Sequence, residues 1–392
     1  MADSSATRIA NLYLHVPFCA QKCAYCAFYS EPSKGDLVNR YVAALIRELD
    51  MIADDLKPKT IFFGGGTPSL LNLWQWKQIL GAMDRLNLLG VGEFTVECNP
   101  ATVSADKAGL LRDFGVNRIS MGVQSLDEKL LERLGRIHTR EMVFKSFDIL
   151  RQAGFENLNL DLMFAIPGQT MEAWRATLAE VLAFGSQHLS CYEVIYEDDT
   201  PLFAQLKAGE FDVDEDLVCV MYDELVERAT QAGFRQYEVA NFARDTTLNI
   251  QHSTLNLPSH ACRHNVNYWR GGSFYGLGPS ATSYVRGVRT KNWANAQLYC
   301  EQLEKGIRAI ESREELPPLK RAGETAAFGL RMTAGWPFEE FRRTTNFDLR
   351  QEWSAEMNQL TGHGWGEISS DHFRLTPQGL RFADAAAELF LR

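Results

Sequence analysis

Residues 12–30 read LYLHVPFCAQKCAYCAFYS, and within this stretch Cys19, Cys23 and Cys26 are spaced C-x3-C-x2-C on the loop that leaves a first strand. Soft thiolates at that spacing suit a cluster of iron and sulfide, whose metal atoms each accept one ligand from a single folded loop. Phe28 stands where one more cysteine could have been, so a 4Fe-4S cluster held by this triplet keeps one iron free of protein ligands. Structural zinc is the competing reading. It is normally closed by four protein ligands, and a fourth would have to come from a distance, as from Cys262.

The rest of the chain fits a reducing compartment. Eight cysteines among 392 residues are too sparse for a disulfide scaffold. The start, MADSSATRIA, has no basic patch followed by an apolar core and a small-residue cleavage site, so a cytoplasmic protein is expected, with any membrane association made through a partner. With 45% hydrophobic and 23% charged residues and no long apolar run, the composition is that of a globular protein. A net charge of -10 argues against nucleic acid as a partner, because an acidic surface repels phosphates.

Outward from the cysteine loop, one theme repeats: a β-branched or aromatic run, a loop, then an amphipathic helical pattern. The runs are 11–16, 60–65, 93–99, 118–123, 157–164 and 188–194. Between the first two, Val38, Tyr41, Val42, Leu45, Ile46 and Leu49 recur at helical spacing behind Asp36 as N-cap. Such alternation implies parallel strands with right-handed crossovers. Six units are fewer than the eight of a closed barrel. The expected fold class is therefore α/β: a partial (β/α)6 barrel whose ligand site lies at the C-terminal ends of the strands. Residues 260–284 read as a functional loop region, and the last hundred residues as helices, a small hairpin and a final helix, a small winged-helix-like domain. The expected division is a flexible tail over 1–12, a barrel with its loop region over 13–290, and a C-terminal domain over 291–392.

The cysteine triplet resembles the signature of radical S-adenosylmethionine proteins. That resemblance implies a partial barrel, a free iron that binds the amino and carboxylate groups of S-adenosylmethionine, and reductive cleavage to a 5'-deoxyadenosyl radical. FFGGGTPSLL (62–71), ECNP (97–100), ISMGVQSLD (119–127), LDLMFAIPGQT (160–170) and HNVNYW (264–269) resemble the coproporphyrinogen III dehydrogenase group over nearly the whole chain, its C-terminal domain included. Dehydrogenases of that group have a further cysteine two residues beyond the motif and a long segment before it. This chain has Phe28 and only twelve residues before Tyr13, which points to the group's haem chaperones.

The cofactor residues follow. Gly65, Gly66 and Thr67 belong to the GGGTP turn, where glycines let a ligand approach the backbone; a tight strand-to-helix turn is the bland alternative. Glu97 and Asp161 lie in apolar strands and need partners, either the ligand or a structural pair with Arg118 or Arg136. Tyr13, Tyr25, Gln124 and Arg136 match positions that the resemblance places around the cluster and S-adenosylmethionine, with helix-surface roles open for the last two. His264, Asn265, Tyr268 and Trp269 form the motif the resemblance associates with haem; a lone histidine among aromatics is otherwise more often a hydrogen-bonded structural residue. Chaperone relatives commonly carry His where Thr282 stands here. The expected function is haem binding and delivery to acceptor haemoproteins, membrane-bound ones included, with an electron-donor protein as further partner. The alternatives are an oxygen-independent coproporphyrinogen III dehydrogenase and a radical enzyme acting on haem.

Overall fold

A computed structural model describes residues 8–33, 35–246 and 256–392. Of the expected tail, residues 1–7 lie outside the described residues, and a strand already begins at Ile9. The chain divides into two compact units: Met1–Gln169 with Val194–Val213 and Ser273–Glu314, and Thr170–Glu193 with Asp214–Gly272 and Glu315–Arg392.

In the first unit β1 (Ile9–Val16), β2 (Leu56–Gly65), β3 (Glu93–Cys98), β4 (Arg118–Gln124) and β5 (Asn157–Phe164) pair side by side, all parallel, in chain order. Parallel neighbours require crossovers, and helices such as Gly35–Ile52, Leu73–Arg85, Ala105–Asp113 and Arg140–Gln152 supply them. The helix Gly35–Ile52 buries Val38, Tyr41, Val42, Leu45 and Leu49, as its spacing implies, although Asp36 lies in its first turn instead of capping it. Ser104 caps the helix Ala105–Asp113, accepting from Lys107 N. Gly115 and Gly154 take the left-handed conformation just past their helices, with φ of +87° and +86°.

A sixth parallel strand, β6 (Tyr275–Leu277), pairs with the other edge of β1, inside the segment read from sequence as a loop region. Its approach is tight. A Cβ on Gly276 would overlap the Thr282 carbonyl, and Gly278 has a φ of +95° beside the His15 carbonyl. Glu48 fastens this edge: its buried carboxyl accepts from Gly278 N at 3.0 Å, Tyr299 Oη at 2.7 Å and Asn292 Nδ2 at 2.8 Å. Burial pushes this carboxyl above the usual range, against the pull of those donors.

In the second unit the strand expected over 188–194 forms as His188–Glu193 and pairs antiparallel with Asn241–Ala243. The same unit carries helices Pro318–Gly329, Phe338–Thr345 and Ser354–Gly362, then a hairpin of Gly366–Ile368 and His372–Leu375, then short helices to Glu388. That order is the winged-helix-like arrangement read from sequence. Its core stacks Trp336, Phe341, Trp353, Phe373 and Phe390. Among the described residues no helix is long and apolar enough to cross a membrane.

Glu48→Ala would strand three buried donors. It is expected to lower stability by about 3 kcal/mol or more. The melting temperature of the variant in calorimetry should fall by several degrees, and an unchanged value would contradict the clamp.

Candidate cluster and cofactor site

The cysteine loop is tied at its neck and along its length. Phe18 and Cys19 pair parallel with Glu31 and Pro32, closing the loop at its base. Ala24 N donates to Leu134 O at 2.9 Å, and Leu202 N donates to Ala24 O at 2.9 Å. All three thiols are half-buried, and two receive a donor at 3.5 Å: Thr67 Oγ1 on Cys19 Sγ and Arg136 Nη1 on Cys23 Sγ. Burial pushes the Cys26 thiol up, and Tyr25 is raised for the same reason. Phe28 points away, 69% exposed. Among the described residues no three His, Cys, Asp or Glu side chains converge to hold one metal ion.

The glycine turn is built against this loop. Gly66 N donates to Val16 O and Thr67 N to Phe18 O, each at 2.8 Å. A Cβ on Gly66 would stand 2.7 Å from the Phe18 carbonyl oxygen and 2.8 Å from that of Val16, so only glycine fits. Gly65 has a φ of +103° and lies against the His15 ring. Thus Gly65 and Gly66 serve a strand-to-loop junction.

His15 was not singled out by its sequence, where it is one polar residue in an apolar strand. It is buried, with Nε2 on Tyr29 O at 2.9 Å and Nδ1 on Tyr13 Oη at 3.0 Å. A carbonyl only accepts, so Nε2 carries the proton and Nδ1 accepts from the Tyr13 hydroxyl. Burial lowers the pKa of this ring, in keeping with a neutral imidazole.

Glu97 and Asp161 share one face of the sheet. Register places Glu97 beside Ser120 and Gly122 beside Asp161. Asp161 accepts from Asn159 Nδ2 at 2.7 Å and from Ser120 Oγ at 3.1 Å. Glu97 is pushed up to about 8, first by burial and then by Asp161, against the pull of the Gly65 backbone donor and Arg118. Because Asp161 raises the Glu97 carboxyl, a cation beside the two would be favoured. Arg136, one of the two sequence candidates for pairing with them, is committed to the cysteine loop and to Gly122 O at 2.7 Å. Its Nε is buried without a hydrogen-bond partner. Gln124 ends β4 in the left-handed region, φ +64°, buried over Gly122. Neither residue has a helix-surface role.

In the second unit, His264, Asn265, Tyr268 and Trp269 lie on the short helix Arg263–Trp269. His264 is turned inward, 1% exposed, with Nε2 on Tyr268 Oη at 2.7 Å. Trp269 packs on Phe328 and under the Arg331 guanidinium, 5.0 Å from its ring centroid. Its Nε1 is buried without a partner. Thr282 lies in the first unit, in the strand Thr282–Val285, opposite Lys291.

A thiol triplet at the end of the first parallel strand, with a glycine turn tied to it, defines a radical S-adenosylmethionine protein, and residues 13–181 match the model of the Radical SAM superfamily. Residues 316–382 match the HemN C-terminal domain. The chain belongs to the HemW family. It is 32% identical over 383 residues to the heme chaperone HemW of Lactococcus lactis subsp. lactis (strain IL1403), covering 97% of each chain. With that of Escherichia coli (strain K12) it shares 32% over 391 residues, 97% of this chain and 98% of the other. It is also 34% identical over 407 residues to the mitochondrial radical S-adenosyl methionine domain-containing protein 1 of Mus musculus, covering 98% and 87%. Among solved structures, the coproporphyrinogen III oxidase HemN of Escherichia coli, a radical SAM enzyme, matches with a TM-score of 0.81 at 20% identity, over 98% of this chain and 90% of that one. That likeness is one of fold.

Because Glu97 has its folded pKa raised from 4.5 to about 8, its contribution to stability is complete below about pH 4.5 and is lost as pH rises through 8. The ligand-free protein should therefore melt at lower temperature at pH 9 than at pH 6, and Glu97→Gln should flatten that slope. Parallel pH profiles of the two proteins would contradict the assignment.

Proposed function

We propose that this protein is a haem chaperone: it holds a 4Fe-4S cluster on Cys19, Cys23 and Cys26 with S-adenosylmethionine beside it, binds haem, and delivers the haem to acceptor haemoproteins. The observation that carries this reading is the identity with HemW chaperones along almost the whole of both chains. Phe28, exposed at the position where dehydrogenases resembling this chain carry a further cysteine, supports it.

The residues suit the cofactors. Thr67 and Arg136 donate to the thiols of Cys19 and Cys23, which favours the thiolate form a cluster requires. The methionine end of S-adenosylmethionine would lie by the turn of Gly65 and Gly66, with its ammonium beside Glu97, whose carboxyl burial and Asp161 push up. Gln124, Tyr13 and Tyr25 would line the same ligand. Held by Cys19, Cys23 and Cys26, a reduced cluster would supply one electron to the sulfonium, and an electron-donor protein would provide that electron. Haem would be received at the helix Arg263–Trp269, with Asn265, Tyr268 and Trp269 against the macrocycle. For His264 to ligate iron, its Nε2 exchanges the Tyr268 hydroxyl for the metal. Membrane haemoproteins are the acceptors we favour.

Anaerobically reconstituted protein should carry about four iron per chain, lost in Cys23→Ser, and its electron paramagnetic resonance signal should shift on adding S-adenosylmethionine. Incubation with reductant, S-adenosylmethionine and coproporphyrinogen should yield no protoporphyrinogen. Formation of that product at turnover would replace the chaperone reading with dehydrogenation. Haem should change the absorbance spectrum of the wild type and do so less in His264→Ala; identical spectra would remove His264 from the haem site.

A further inference from the structure

The end of β4 is held in a conformation it does not favour. Ser125 N donates to Val123 O at 2.8 Å across Gln124, whose φ is +64°, and the pairing with β5 shifts register between Gly122 and Gln124. An i to i+2 hydrogen bond around a positive φ is a rare, strained γ-turn. It sets the direction of the Gln124 side chain, whose Nε2 crosses over Gly122 together with Arg136.

One segment, 134–138, grips this turn. Arg136 Nη2 donates to Gly122 O at 2.7 Å, and His138 Nε2 lies 3.0 Å from Val123 O. A carbonyl only accepts, so Nε2 of His138 carries the proton. The same segment reaches the cysteine loop: Leu134 O accepts from Ala24 N at 2.9 Å and Arg136 Nη1 donates to Cys23 Sγ at 3.5 Å. His138 is 2% exposed, and its Nδ1 is buried with no partner. An apolar side chain would fill that volume without stranding a ring nitrogen, and Val123 O would keep its bond from Ser125 N. Packing therefore does not account for an imidazole there. Its Nε2–H on the strained turn does.

We infer that His138 is a positioning residue for S-adenosylmethionine: its Nε2–H pins the Val123 carbonyl, so that Gln124 stays in the left-handed turn with its amide aimed at the ligand. The segment 134–138 thereby fixes the cysteine loop and the Gln124 turn as one rigid frame. This inference rests on the reading above that Gln124 faces S-adenosylmethionine.

The test compares wild type, His138→Leu, His138→Gln and Ser146→Ala, the last removing a buried hydrogen bond to Pro100 O away from the turn. Each is reconstituted with cluster and measured for iron per chain, melting temperature and S-adenosylmethionine affinity by equilibrium dialysis and by the spectral shift. His138→Leu should keep its iron and a melting temperature no lower than wild type, yet bind about tenfold more weakly, the loss expected for one ordering hydrogen bond. His138→Gln, which restores an N–H donor, should recover most of the affinity, and Ser146→Ala should lose stability but not affinity. If wild type binds and His138→Leu binds equally well, the inference fails alone. The inference also fails if His138→Leu is weakened only in step with a fall in its melting temperature and His138→Gln gives no rescue. Wild type that takes up no S-adenosylmethionine overturns the cofactor reading and this inference with it.

Discussion

Two backbone hydrogen bonds, Gly66 N to Val16 O and Thr67 N to Phe18 O, join the turn after the second strand to the start of the cysteine loop. They form only because residue 66 has no side chain, and everything about the site is placed from them. The contact sets Thr67 against Cys19, seats Gly65 against the His15 ring and brings the backbone of Gly65 within reach of Glu97. A parallel sheet makes this possible, since its strands all end on the same side and their loops meet there.

Around that junction burial shifts the titration of the polar groups. His15 is held neutral between Tyr13 and a carbonyl, His138 is held neutral against the β4 turn with its pKa lowered to about 4 by burial and Arg136, and Glu97 is raised toward the protonated form. A cationic ligand beside these carboxyls would draw the proton off Glu97, while the imidazoles serve as oriented donors.

Much of this was legible in the residues. The strand-helix alternation located each of the six strand segments, since β-branched runs bounded by Gly, Pro or Asn are a local signal. The cysteine spacing and the glycine turn are local too. The strand Tyr275–Leu277 was hidden because it is three residues long and flanked by glycine, and its pairing depends on contacts with β1 and Glu48 far away in sequence. His15 and His138 were missed for the same reason: each takes its role from a carbonyl on another segment. The motif around His264 identified the family yet not the state of its histidine, which turns onto Tyr268 one helical turn later.

The central claim is that haem leaves this protein for another. The most direct measurement loads the reconstituted protein with haem, mixes it with an apo-haemoprotein across a dialysis-free size separation, and follows haem in each fraction with time. Haem should move to the acceptor faster than from an equal concentration of haem bound to albumin. Haem that stays with the protein, or emerges chemically altered, would contradict it.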